Sequence, residues 1–148
     1  MSDPHMVQGA RVRKSDASML RAARRAVFEA SDWLTAEQVT RIACPDASGS
    51  SVRPDCWNAE GQIFSVRYVQ QDYFPAYGLN PERQFRPVAA LADVLRVFDS
   101  TKDGWHLAYW FASVNSYLDG KRPLDLLATE PGRVIVAAQE EARGVWHG

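Results

Sequence analysis

The stretch WFASVNSYLDGKRPLDLL, Trp110 to Leu127, constrains the fold more than any other part of the chain. Leu107, Phe111, Val114 and Leu118 recur at helical spacing, and Trp110 and Tyr117 widen that apolar stripe. Gly120 supplies the left-handed conformation that ends a helix. Pro123 then sits where a first helical turn tolerates it, opening PLDLLA as the next helix. Glu130-Pro131-Gly132 breaks the chain again, and Val134 to Ala142 reads as the last helix. Upstream, Leu91, Val94, Leu95 and Phe98 form another helical stripe. Corners this sharp gather short helices around one apolar core.

The first half follows different rules. Ser15 or Asp16 is a candidate cap for a helix running to about Ala30, with Leu20, Ala23, Val27 and Ala30 as its apolar face. The polar residues 1–14 are expected to be a flexible tail. WLTAEQVTRIA reads as a second helix, because Thr35 and Gln38 make a capping box and Leu34 can staple onto Val39. After a Ser/Gly loop, Pro54 suits the first turn of a short helix from Arg53 to Glu60, ended by Gly61. QIFSVRY and YFPAYGL read as two strands joined by a turn at Gln70–Asp72, with Pro75 needing an edge or a bulge. GLNPERQFRP is the expected boundary, between residues 15–80 and a helical domain over 86–148. The fold class expected is mainly α (α+β): a winged helix-turn-helix with a two-stranded hairpin, followed by a small helical domain.

Composition narrows the function. The chain has 148 residues, 46% of them hydrophobic and 24% charged, enough for one compact domain or two small modules sharing a core. No apolar run approaches the ~20 residues of a membrane span. MSDPHMVQGARVRKSD has charge but no apolar segment of the secretory type. A cytoplasmic protein without a membrane partner is expected. Cys44 and Cys56 form no C-x-x-C pair, and neither they nor His5, His106 and His147 have zinc spacing. They read as two buried or half-buried free thiols, and neither metal nor cofactor is expected.

Enzyme signatures are missing: no nucleophile elbow, Walker loop, dinucleotide fingerprint or H-E-x-x-H occurs. Ser116 near Asp119 and His106 near Asp103 read as caps or solvated groups. No catalytic residue is assigned. The net charge of −1 carries no global sign of nucleic-acid binding, yet Arg11, Arg13, Lys14, Arg21, Arg24 and Arg25 are opposed only by Asp16. Such a cluster is either a solvated helix face or a phosphate-binding patch. In a winged helix, Arg53 and Asn58 on the second helix and Arg67 and Tyr68 on the wing are the candidate DNA contacts. The alternative is that Trp57 is core, Arg53 is a solvated neighbour and the hairpin is a structural flap. The aromatics Trp105, Tyr109, Trp110, Phe111 and Tyr117 are too many for one stripe, so some are expected to meet the wing module or a partner. Trp146 is either docked on its own chain or an anchor for another.

The segment WFASVNSYLDGKRPLDLL, followed by VIVAA and a terminal GVWHG, resembles the toxin-binding domain of Xre/MbcA/ParS-type antitoxins. The residues carrying the resemblance are Trp110, Asn115, Leu118, Gly120, Pro123, Leu126 and Leu127, within a match from Val88 to Gly148. WLTAEQV…EGQIFSV…YFPAY is similar to the small winged helix of some members. The resemblance implies a type II antitoxin-like homodimer that binds double-stranded promoter DNA and neutralises a RES-type protein toxin. It implies toxin contacts at Arg133, Arg143, Val145, Trp146 and His147, with Asn115, Gly120 and Pro123 shaping the corner. The alternative is a solitary DNA-binding transcriptional regulator whose helical domain only dimerises.

Overall fold

The computed structural model describes the backbone of residues 4–44 and 52–147, and the side chains of 16–44 and 52–144. It is mainly helical, with a three-stranded antiparallel sheet and a second, two-stranded ladder. Helix α1 runs from Pro4 to Ala30, so the stretch expected as a tail is helical from Pro4 onward. Ser15 and Asp16 lie inside this helix, not at its start. Nothing between Pro4 and Ala30 forbids helix, and the Ala, Arg, Met and Leu content favours it. Only the C-terminal half of the expected face is used: Val27 is buried, whereas Leu20 is exposed.

Thr35 closes its capping box as read. The Gln38 amide donates to Thr35 Oγ1 at 3.2 Å, and the Thr35 amide donates to Gln38 Oε1 at 2.8 Å. A cap must be extended, however, and that extension continues upstream. Trp33–Thr35 is therefore strand β1, not the start of a helix, and α2 spans Ala36–Ala43. The short helix α3, Pro54–Ala59, opens on its proline and buries Trp57. Gly61, at φ +74°, then turns the chain out of it.

Strands β2, Val66–Tyr68, and β3, Gln71–Pro75, are shorter than expected, and their turn is Val69-Gln70. Both turn residues have positive φ, 49° and 61°, which matches the twist of a two-residue hairpin. The sheet order is β1-β3-β2, so the hairpin is completed by a third strand. Pro75 lies in the central strand, contrary to the edge expectation. It escapes the penalty because it is the last residue, opposite Trp33 and beyond the end of β2. The turn-rich boundary holds a small ladder of β4, Leu79–Asn80, and β5, Arg86–Pro87.

The second half contains α4 (Ala89–Phe98), α5 (Gly104–Ala112), α6 (Pro123–Leu126) and α7 (Pro131–His147). Helix α4 packs on α7, burying Leu91, Val94 and Phe98 with Val134, Ala137 and Ala138. Helix α5 packs on α1, β2 and α6, so it stands between the two halves. The buried apolar residues of both halves belong to one cluster. Expected aromatic contacts across the boundary are present: Phe111 stacks on Phe64 with centroids 5.8 Å apart, and Trp105 meets Phe28 and Tyr68. No helix among the described residues is long and apolar enough to cross a membrane.

Candidate functional site

Helix α5 does not run into Leu-Asp-Gly. It ends at Ala112, Ser113 is extended, and Val114 is 74% exposed where a core position was expected. The Ser113 hydroxyl donates to the Tyr109 carbonyl at 2.6 Å, competing with continuation of the helix. Asn115 then organises the corner. Its side-chain oxygen accepts from the Tyr117 amide at 2.9 Å, and its backbone pairs with Lys121. Leu118 plugs the core from a single 3-10 turn, while Asp119 and Gly120 both take left-handed conformations. Pro123 opens α6 as the sequence implied. The corner leaves Tyr117 57% exposed. A cleft of about 400 Å³ lies beside it, lined by Lys102, His106, Tyr109, Trp110 and Glu141 among others.

The residues expected to meet a toxin divide. Arg133 is held by Asp119 of the corner at 3.0 Å and by Glu130 at 3.1 Å. The Glu130 carboxylate, with Asp119 behind it, pushes the Arg133 pKa up. Arg143 is exposed and pairs with Glu140 at 3.2 Å. Both arginines lie on α7, whose backbone continues through Val145 and Trp146 to His147. The side chains of Val145, Trp146 and His147 lie outside the described residues.

The expected DNA face is less basic than its residues suggested. Arg53 is exposed at the start of α3, but Asp55 and Glu60 are exposed beside it. Asn58 donates to Ser65 Oγ at 2.9 Å. Arg67 pairs with Asp72 across the hairpin at 3.2 Å. Tyr68 is 43% exposed, yet its ring is turned toward Phe28 and Trp105. Arg53 and Asn58 therefore share one short helix, while Arg67 and Tyr68 occupy the neighbouring hairpin.

A second basic face was legible only as composition. Arg21 and Arg25 are exposed on α1, and the Arg24 guanidinium lies 4.7 Å from the Trp105 ring centroid. With Phe28, Glu29 and Tyr68 they line a cleft of about 280 Å³.

The titratable pair His106–Asp103, 2.7 Å apart, belongs to a helix cap. Asp103 accepts from the His106 amide at 2.9 Å, which holds its carboxyl below the usual range. Cys44 is half-buried, whereas Cys56 is exposed, against the expectation of two sheltered thiols. Among the described residues no group of three or more His, Cys, Asp or Glu stands close enough to hold a metal.

Comparison with protein-family models, with curated proteins and with solved structures finds no match to this chain. The functional reading therefore rests on topology and surface chemistry.

Proposed function

We propose that the chain is a DNA-binding regulator: a winged helix-turn-helix joined through α5 to a helical module that displays a protein-binding corner. The observation that carries this reading is the order α1-β1-α2-α3-β2-β3 with β3 between β1 and β2. In that arrangement α2 and α3 form the helix pair, α3 faces the groove, and the β2–β3 hairpin is the wing. Arg53 and Asn58 supply polar contacts from α3, and Arg67 and Tyr68 supply them from the wing. Asp55, Glu60 and Asp72 stand beside these cations and reduce the attraction of this face for backbone phosphates, leaving Arg53 and Arg67 as its phosphate contacts. Duplex titration across a salt series tests this. Affinity should fall steeply with salt, and Arg53→Ala and Arg67→Ala should each weaken it. Affinity unmoved by salt or by both substitutions would sink the assignment.

A second reading is favoured by the exposed apolar side chains of the helical module, Val114 and Tyr117 at the corner and Val136 on α7. On this reading the corner and the C-terminal end of α7 mask a RES-type toxin, and the homodimer represses its own promoter. Arg133 would then set the corner, since Asp119 and Glu130 already engage it. The test is affinity capture by the full chain beside a variant lacking residues 145–148. Loss of one stoichiometric partner with the tail supports toxin masking. Retention of nothing but nucleic acid by both forms leaves a solitary regulator.

A further inference from the structure

We propose that the arginine face of α1, with Tyr68 at its edge, is a phosphate-contacting surface for duplex DNA, separate from the α3 face. The proposal rests on the DNA-binding reading above. It assigns to α1 the larger share of the electrostatic contact.

Arg41, Arg67, Arg96, Arg122, Arg133 and Arg143 each have a carboxylate within ion-pair distance. Among the described residues, Arg21, Arg24 and Arg25 form no ion pair, as is also true of Arg53, Arg83 and Arg86, but only the α1 arginines stand together on one helix, where Arg21 reaches only the Ser18 hydroxyl, at 3.4 Å. Glu29 is the one acidic residue lining the cleft they share. Positions three and four apart on a helix are neighbours, so Arg21 repels Arg24 and Arg25. A helix that concentrates like charge against that repulsion is relieved when a polyanion lies along it.

Arg24 is half-buried and stacked on Trp105, which is itself fixed by donation from its indole N–H to the Arg67 carbonyl at 3.2 Å. This cation–π contact restrains the guanidinium where it lines the cleft with Arg21 and Arg25, and a planar guanidinium is suited to phosphate. Phe28 holds Tyr68 at 5.2 Å between ring centroids. The hairpin edge and the arginines thus line one cleft, with a hydroxyl and guanidinium groups available to the same ligand.

The α3 surface is interrupted by Asp55 and Glu60, and Arg67 is neutralised by Asp72. Counterion release grows with the number of phosphates neutralised, and α1 sets three arginines against the single carboxylate of Glu29 in its cleft. A second copy of the chain is a poor occupant, because it would bring one arginine set against another.

The experiment is binding of the full chain to a mixed-sequence duplex over a salt series, read by fluorescence anisotropy, with thermal unfolding as the fold control. Arg21 and Arg25 are exposed, so Arg21→Gln/Arg25→Gln should melt like the parent. It should bind at least about tenfold more weakly at low salt, and its log–log salt slope should be shallower by about 2, since each phosphate no longer neutralised takes away about 0.9. The Arg21→Lys/Arg25→Lys variant should keep the parental slope. Unchanged affinity and slope in the glutamine variant, beside weakening by Arg53→Ala or Arg67→Ala, would overturn this inference and leave the DNA-binding reading standing. A parent chain that binds no duplex even at low salt overturns both. Arginine-dependent binding to anionic vesicles without duplex binding would assign the face to a lipid surface and also overturn it.

Discussion

The two ends of α5 behave as opposites. At its N-terminus the helix is locked onto the sheet: Gly104 lies so close to β2 that a Cβ would overlap the Ser65 carbonyl and stand 3.1 Å from its carbon. Asp103 caps the first turn, and Trp105 bonds the Arg67 carbonyl. At its C-terminus the helix releases into a corner whose Gly120 has open space around it and whose Val114 and Tyr117 face outward. One end is built for attachment and the other for display. Substitutions at the first should therefore act on stability, and those at the second on binding.

Gly104→Ala is the largest break of the locked end. The new methyl meets backbone, which has no rotamer to yield, so α5 must move off β2. Overpacking of this kind should remove about 3 kcal/mol. In a chain this size that lowers Tm by about 10 °C, which thermal melting would register. A melting point close to that of the parent would show that α5 can shift off β2 at little cost. Next in size, Trp105→Phe keeps a smaller ring under Arg24 but strands the Arg67 carbonyl. A decrease of about 1.5 kcal/mol is expected by chemical denaturation, because the indole hydrogen bond disappears and the cation–π interaction weakens.

Gly120→Ala sharpens the comparison from the displayed end. There is room for the methyl, so the only penalty is the positive φ of 80°, about 1 kcal/mol. Gly104 and Gly120 should thus differ by roughly threefold in stability loss, one for steric and one for torsional reasons. Asp103→Ala removes the cap, at about 1 kcal/mol near neutral pH. The folded pKa of Asp103 is depressed, chiefly by the His106 amide, so its stabilisation is present above the unfolded value and fades as pH falls through the folded one. The gap in melting temperature between parent and Asp103→Ala should accordingly narrow in acid. A gap that stayed constant to low pH would mean that the charged form of the cap contributes nothing.

How much of this was legible depends on whether the determining chemistry was local. Thr35 with Gln38, Pro54 with Gly61, and Pro123 each fix backbone locally, and the structure places helix boundaries at all of them, whereas Gly120 is left-handed as read but follows a 3-10 turn, α5 having ended at Ala112. The hairpin turn escaped because Val69 and Gln70 are not residues that favour positive φ; the pairing of Tyr68 with Gln71 imposes it. Strand β1 escaped because Trp33–Thr35 is a strand only by virtue of Phe74 and its neighbours in β3. The end of α5 was misplaced because Val114 fits the helical stripe, while a Ser113 hydroxyl bond and the Asn115–Lys121 bridge decide otherwise. On the candidate surfaces the residue types were readable, but their ion pairs were not. Arg67 and Arg133 looked free in sequence and are paired in space, whereas the α1 arginines looked like composition and face a cleft unpaired.

The smallest expected effect on stability is also the most informative about the displayed end. Tyr117 is more than half exposed, and the corner is held through its backbone amide by Asn115, not through its ring. Tyr117→Ala should therefore change stability by less than about 0.5 kcal/mol, the usual range for a surface position. If the corner contacts a protein partner, the same substitution should weaken that complex by tenfold or more, since an exposed tyrosine that becomes buried is a typical anchor. The full chain and this variant, titrated against a captured partner and melted side by side, separate the two quantities. Lost stability would place Tyr117 with the locked end and erase the distinction. Unchanged stability with unchanged affinity would leave the corner as architecture, and would move the partner surface along α7 toward Val136 and Arg143.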